Sequence, residues 1–259
     1  MKEVKANVGR IHDQLTAAQL FSVVEWLEHT NPCSIHNRSQ DFYEEHTGKW
    51  VQRCPEWADF VAGRQRSLWI SGIPGAGKTV LSSHLVEELR HQQNSRTGWV
   101  YYYCYFARNQ DETGPFLRWA LSQLCHQANY VPADLFNAYS KRHEPDNETL
   151  LSLLADVLTR FDAAFVAMDA VDESMPYTAL LGVLKNLMTD TRFERLRLLL
   201  TSRQYLDIEK CIKPYAVSLP MSNRWLEEDI RIYVRSKLYD EPKFRQWPGS
   251  RSSLDRRHH

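Results

Sequence analysis

Five short apolar segments follow one another from residue 67 onward, and longer segments with helical periodicity separate them. The predicted strands cover residues 67–70, 98–106, 163–169, 196–202 and 216–220. The predicted helices cover residues 79–92, 114–128, 148–161, 177–190 and 225–238. Because strands that are apolar on both faces must be covered on both faces, this alternation predicts an α/β fold in which helices flank a parallel sheet on each side.

The segment before this alternation predicts helices only. Residues 11–28 have apolar side chains at helical spacing, and the polar run around Pro32 is expected to break that helix. Residues 47–63 predict a second helical piece, which contains Pro55. These segments indicate a helical lead-in that precedes the sheet.

The end of the sequence again differs in composition. Residues 241–259 lose apolar periodicity and gain Arg, Ser and Pro, which is typical of a disordered tail. We therefore predict a helical lead-in over residues 1–65, an α/β domain over 66–240 and a disordered tail over 241–259.

The composition limits the classes of partner and the compartment. Hydrophobic residues make up 43% of the sequence, which is enough for a large core. Lys and Arg together number 32, as do Asp and Glu, so no overall charge favours nucleic acid or an anionic membrane. The cysteines are scattered without a C-x-x-C pair, the N-terminus is polar, and no window approaches the ~20 apolar residues of a membrane span. We expect a cytoplasmic protein with no nucleic-acid or membrane partner.

The segment SGIPGAGKTVL, residues 71–81, contains three of the ten glycines of the chain. It satisfies G-x-x-x-x-G-K-[ST] between a predicted strand and a predicted helix, which is the context that this pattern requires. Glycines allow successive N–H groups to converge on an anion, and the following helix adds the positive end of its dipole. In such a loop the Lys reaches the β- and γ-phosphates and the Thr hydroxyl binds Mg²⁺. The predicted nucleotide-binding residues are Gly72, Ile73, Pro74, Gly75, Ala76, Gly77, Lys78, Thr79 and Val80.

Acidic residues end the predicted strand over 163–169. Asp169 closes this strand, and Asp172 and Glu173 follow it. Because the carboxyl ends of parallel strands meet at one edge of a sheet, Asp169 is expected to join Thr79 on the Mg²⁺ side of the site. Glu173, with Asp172 as the weaker candidate, is expected to orient or deprotonate the attacking water.

A further cation follows the predicted strand over 196–202. This strand ends in Thr201 and Ser202, and Arg203 comes next. A planar, permanently charged guanidinium at this edge would suit a γ-phosphate, as a contact or as a sensor.

With GIPGAGKT, VAMDAVDES and LLLTSRQ in this order, the chain resembles the NACHT branch of the STAND P-loop NTPases, most closely the fungal group described as nephrocystin-like or NLR-like. Residues 46–60, 100–124 and 223–238 fit the same likeness, which covers about residues 20–238. The resemblance implies a five-stranded sheet in the order 5-1-4-3-2, with Arg203 in the first sensor position. It also implies a signal-transduction switch that binds Mg²⁺ and ATP, hydrolyses ATP slowly and assembles when ATP is bound.

The sequence departs from the resemblance and leaves alternatives open. Members of this group continue into a helical lid, a winged helix with a nucleotide-sensing histidine and often repeats, whereas this chain stops at His259, so a truncated member is expected. A partial domain that binds nucleotide without turning it over is the main alternative, and a P-loop kinase of small molecules is a third. The residues do not decide between ATP and GTP or between self-association and a partner protein. They also do not identify the ligand that is sensed.

Overall fold

The computed structural model describes residues 16–91, 96–222 and 224–240. The predicted tail over 241–259 and the first five residues of the helix predicted over 11–28 lie outside these residues.

Five parallel strands form one sheet. They are β1 (Ser67–Ser71), β2 (Thr97–Tyr103), β3 (Ala163–Asp169), β4 (Leu196–Ser202) and β5 (Val217–Pro220). Their order is β2-β3-β4-β1-β5, and all neighbours pair in parallel. Read from the other edge, this is the predicted order 5-1-4-3-2, so the predicted fold class is confirmed. The order places β4 between β1 and β3, which carry the glycine loop and the acidic cluster at their ends.

Ten α-helices lie within the described residues. The lead-in contributes α1 (Ala17–Leu27), α2 (Cys33–Asp41) and α3 (Pro55–Val61). The connections between strands contribute α4 (Lys78–His91), α5 (Thr113–Ala128), α6 (Ala133–Ser140), α7 (Asn147–Leu158), α8 (Thr178–Thr189) and α9 (Leu206–Ile212). Helix α10 (Arg224–Asp240) follows β5. None of the helices in this part of the chain has both the length and the apolar character needed to cross a bilayer.

Alternation along the strands divides the core into two clusters. In β1, Leu68 and Ile70 pack in one cluster and Trp69 in the other. In β2, Tyr101 and Tyr103 pack in the same cluster as Leu68 and Ile70, and Tyr102 packs in the cluster of Trp69. Because successive side chains of a strand point to opposite faces, apolar residues at every position require cover on both faces. The predicted helical layers on each side of the sheet are therefore present.

The lead-in packs into both clusters. Leu20, Val23 and Leu27 of α1 are buried in the cluster that contains α5, and the Thr16 side chain caps the start of α1 by accepting from the Gln19 N–H. Phe60 of α3 is buried in the other cluster. The lead-in is thus continuous with the core of the sheet domain.

The helix predicted over 11–28 ends at Leu27, before Pro32, as expected, but the polar run after Pro32 was not expected to be helical, and residues 33–41 form α2. Pro32 precedes the first helical residue, where its missing N–H costs nothing, and the Asn31 side chain accepts from the Cys33 N–H at 2.8 Å. The inner face of α2 is polar and buried. His36 contacts the Tyr103 hydroxyl at 2.8 Å and the Glu87 carboxylate at 2.9 Å. Because polar residues form this buried face, the helix lacks the apolar periodicity by which a helix is predicted.

Two further boundaries were predicted wrongly. The strand expected over 98–106 ends at Tyr103, and Phe106–Arg108 form a 3-10 turn with Phe106 exposed. The helical piece expected over 47–63 consists of the 3-10 turn Val51–Arg53 and the separate helix α3, which starts at Pro55. Helices α6 and α9 were not predicted.

Candidate functional site

The glycine loop joins the end of β1 to the start of α4. Gly75 and Gly77 have φ values of +76° and +86°, and a Cβ added to either would meet no atom within 4 Å. Glycine is therefore required at these two positions by the backbone and not by crowding. The first α-helical bond of α4 runs from the Leu81 N–H to the Gly77 carbonyl at 2.9 Å. The N–H groups of residues 78–80 come before this first bond, so they have no acceptor within the helix. Such N–H groups at the start of a helix can bind an anion.

The remaining residues of the predicted loop differ in their exposure to solvent. Ile73 and Pro74 are exposed at the tip of the loop, with Ile73 74% exposed. Ala76 and Val80 are partly buried, and both line a cavity described below. Gly72 is held at the end of β1 because its N–H donates to the Ser202 carbonyl at 3.2 Å.

Lys78 lies folded over its own loop. Its Nζ donates to the carbonyls of Gly72 at 2.9 Å and Ile73 at 3.0 Å. Burial lowers the pKa of Lys78, and the carboxylates of Asp172 and Asp169 partly offset this effect. The ammonium group is therefore desolvated beside the loop, and it contacts only neutral carbonyls through these two hydrogen bonds. An anion in the loop would provide a stronger, charge-assisted partner.

Asp169 brings β3, β4 and α4 together. Met168 of β3 pairs with Leu200 of β4, so the next residues, Asp169 and Thr201, are side by side. One carboxylate oxygen of Asp169 accepts from the Thr201 hydroxyl at 2.6 Å and the other accepts from the Thr79 hydroxyl at 2.8 Å. The residue is 2% exposed, and burial raises its pKa to about 6 although both hydroxyls favour the charged form. The two predicted metal ligands, Thr79 and Asp169, are in direct contact.

Thr201 was not predicted as a site residue. Its hydroxyl donates to Asp169 and accepts from the Ala170 N–H at 3.0 Å, so it fixes the carboxylate and the chain that follows it. A hydroxyl residue at the end of the strand adjacent to the acidic strand was the feature that could have identified it.

The three predicted catalytic residues also lie together. Ala170 has a φ of +55° and turns the chain into the 3-10 turn Val171–Glu173. Asp172 accepts from the backbone N–H of Arg203 at 2.9 Å and pairs with its Nε at 3.3 Å. Glu173 lies 3.7 Å from the Arg203 guanidinium and accepts from the Phe106 N–H at 3.3 Å. The carboxyl edge of the sheet thus collects Lys78, Arg203 and three carboxylates.

A cavity of about 390 Å³ adjoins the glycine loop. Gly75, Ala76 and Gly77 form one wall, residues 42–50 of the lead-in form another, and α10 forms the third. Its aromatic and aliphatic lining includes Phe42, Tyr43, Trp50, Leu226, Ile230 and Tyr233. This cavity was not predicted, because its walls come from three segments that are far apart in the chain.

A carboxylate attaches α10 to the lead-in beside this cavity. Asp229 accepts from the Gly48 N–H at 2.6 Å, and burial raises the pKa of Asp229. Gly48 has a φ of +73°, a conformation that glycine adopts without strain. This contact holds α10 against the part of the lead-in that lines the cavity.

A comparison with protein families finds a match that includes the residues of this site. The family described as Nephrocystin 3, N-terminal, matches residues 46–203, which include the glycine loop, the acidic cluster and Arg203. Among curated proteins, the sequence has no significant match.

Solved structures show distant likenesses. Cdc6p from Pyrobaculum aerophilum has a TM-score of 0.46 at 15% identity, over 74% of this chain and 50% of that one. The Orc1 protein of Aeropyrum pernix, solved in complex with DNA, has a TM-score of 0.49 at 13% identity, over 75% and 50%. Drosophila ORC bound to DNA has a TM-score of 0.44 at 18% identity, over 82% and 53%. The chain spans about half the length of these proteins.

Proposed function

The chain belongs to the nephrocystin 3 N-terminal family, and on this premise we propose that it is a P-loop nucleotide switch that binds ATP with Mg²⁺ and hydrolyses it slowly. The observation that supports this most strongly is the 2.8 Å contact between Thr79 of the glycine loop and Asp169 of β3. It joins the two residues that the loop motif and the acidic strand assign to one cation. The finer assignment, to a NACHT-type signalling switch of the STAND class and of fungal NLR-like kind, rests on the resemblance of the sequence motifs.

Each part of the site has a role in this proposal. The N–H groups of the glycine loop and the first turn of α4 would bind the phosphates, and Lys78 would exchange its two carbonyl acceptors for phosphate oxygens. Thr79 and Asp169 would hold Mg²⁺, which in proteins is bound by few protein oxygens together with phosphates and water. When bound, Mg²⁺ would neutralise charge on the phosphates. Arg203 would contact the γ-phosphate, and Glu173 would orient the attacking water.

The cavity beside the loop suits the base of the nucleotide. It is lined by aromatic and aliphatic side chains and begins at Gly75–Gly77, where the phosphates would end. Pockets lined mainly by hydrophobic and aromatic side chains, with a few polar groups, are typical of sites for small molecules and cofactors. We propose ATP as the ligand, and competition between unlabelled ATP and GTP for a labelled ATP measures the preference between the two bases.

Equilibrium binding tests the proposal. The wild type should bind ATP more tightly with Mg²⁺ than without it, and Lys78→Ala should weaken binding by at least about tenfold, because a hydrogen bond between charged groups contributes ~1.5–3 kcal/mol. Lys185→Ala, at an exposed lysine of α8, is the matched control and should bind like the wild type. Equal affinity of Lys78→Ala and the wild type, or no effect of Mg²⁺, would refute the proposed site.

Turnover separates a hydrolytic switch from a module that only binds nucleotide. The wild type should release phosphate slowly, and Glu173→Gln should reduce this rate while ATP binding is retained. A wild type that binds ATP through Lys78 but releases no phosphate would favour the binding module. Sedimentation with ATP and with ADP then tests whether the triphosphate promotes self-association.

A further inference from the structure

Asp172 contacts Arg203 at two points, and both of its carboxylate oxygens take part. One oxygen accepts from the Arg203 backbone N–H at 2.9 Å, and the other lies 3.3 Å from the side-chain Nε. The Asp172 side chain is 2% exposed, whereas that of Arg203 is 38% exposed. A buried carboxylate therefore fixes both the main chain and the inner end of the guanidinium of a partly exposed arginine.

This arrangement does not suit Asp172 for proton abstraction. A general base needs an oxygen that can approach the water, and both oxygens of Asp172 face N–H donors of Arg203, one on its backbone and one on its permanently charged guanidinium. Glu173 is different. Its side chain is 23% exposed, and its distance of 3.7 Å from the guanidinium is longer than a hydrogen bond. Of the two adjacent acids, Glu173 is the one with an oxygen open to water.

The same arrangement orients Arg203. The turn that carries Asp172 is anchored by Val171, which is fully buried, so the carboxylate has a fixed position relative to the core. Because Asp172 engages Nε, the two terminal nitrogens of Arg203 are left for other acceptors. They contact Glu173 at 3.7 Å and the Tyr205 hydroxyl at 3.3 Å, which are weak contacts. A phosphate could replace both, since the terminal nitrogens of arginine bind phosphate in a bidentate manner.

We propose that Asp172 is a positioning residue that aims Arg203 at the γ-phosphate, and that Glu173 alone orients the water. This inference rests on the proposed function, because it assigns the two acids of that site to different tasks. In this assignment, Asp172 and Arg203 act together to distinguish a nucleoside triphosphate from a diphosphate.

The ratio of the affinities for ATP and ADP tests this assignment. Asp172→Asn keeps an oxygen for the Arg203 N–H but removes the charge beside Nε. It should lower the ATP-to-ADP affinity ratio on the order of tenfold, as Arg203→Gln should, because the first variant misaligns and the second removes the guanidinium that contacts the γ-phosphate. The double variant should lose no more than Arg203→Gln alone. Glu173→Gln, the matched control at the adjacent acid, should leave the ratio within about twofold and reduce only phosphate release. An Asp172→Asn ratio equal to that of the wild type, or additive losses in the double variant, would overturn the inference.

Unfolding in urea without nucleotide gives an independent test. Arg203→Gln leaves the buried Asp172 carboxylate without its cation and should be destabilised, and adding Asp172→Asn should restore part of that stability. Additive losses in this cycle would overturn the inference whatever the nucleotide data show. If instead the cycle shows coupling while Lys78→Ala binds ATP like the wild type, the proposed nucleotide site is wrong and the Asp172–Arg203 unit is supported as a contact only.

Discussion

Replacement of Asp169 by Asn should strengthen the fold and remove the magnesium site at once. Asp169 is 2% exposed, and burial raises its pKa from 3.8 to about 6. A carboxyl with a raised pKa binds its proton more tightly in the folded state than in the unfolded state. Its charged form therefore opposes folding, and this cost is absent below about pH 4, grows between about pH 4 and pH 6, and is complete above that range. A shift of about two pKa units at 1.36 kcal/mol each gives a cost of about 3 kcal/mol at neutral pH.

The Asn side chain can keep both hydroxyl contacts. Its oxygen can accept from Thr201, whose own acceptor position is taken by the Ala170 N–H, and its amide can donate to Thr79. We expect Asp169→Asn to be more stable than the wild type by about 1–3 kcal/mol at pH 7.5 and by roughly a third of that at pH 4.5, where most of the cost of the charged form has been lost. Urea denaturation with linear extrapolation at each pH measures this difference. In the same variant, the strengthening of ATP binding by Mg²⁺ should disappear.

Two results would refute this reasoning. One is a variant less stable than the wild type at pH 7.5, and the other is a stability difference that does not change with pH. Asp41→Asn, at an exposed carboxylate that ends α2, is the control and should change stability little at either pH.

Three further predictions concern backbone and packing. Gly77→Ala should lower the free energy of unfolding by about 1 kcal/mol in urea denaturation, because its φ of +86° strains any other residue although the space is open; an unchanged stability would contradict the positive φ. Asp229→Ala removes the acceptor of the Gly48 N–H, so α10 loses its attachment to the lead-in beside the cavity. This variant should release labelled nucleotide several-fold faster in stopped-flow displacement, and an unchanged release rate would show that α10 does not control access. Gly98→Ala would place a Cβ 2.7 Å from the Leu124 Cδ2 in the core and should cost about 1–3 kcal/mol in the same denaturation assay, and a variant as stable as the wild type would disprove tight packing there.

The sequence was sufficient for the sheet and for the position of the loop. Apolar runs such as residues 163–169 and 196–202 coincide with β3 and β4, because strands buried on both faces have few alternatives to a sheet interior. The glycine pattern gave the loop, since positive φ at Gly75 and Gly77 restricts the residue type. The strand order followed from the resemblance and not from periodicity.

Features built from polar contacts across the chain were not predictable. Helix α2 was missed because its buried face is formed by His36, whose partners are 67 and 51 residues away in sequence. The division of roles between Asp172 and Glu173 depends on which of them faces Arg203 after the turn at Ala170. One residue of difference in a 3-10 turn changes the direction of a side chain, and no pattern of residue types encodes this direction.

Hydrogen exchange of the backbone amides, measured with and without Mg²⁺ and ATP, tests the central claim most directly. We predict that the ligand slows exchange in peptides covering residues 72–80 and 169–173, and that Lys78→Ala loses this protection while Lys185→Ala retains it. Protection by ATP confined to other segments, or equal protection of residues 72–80 in Lys78→Ala, would contradict a phosphate site in the glycine loop.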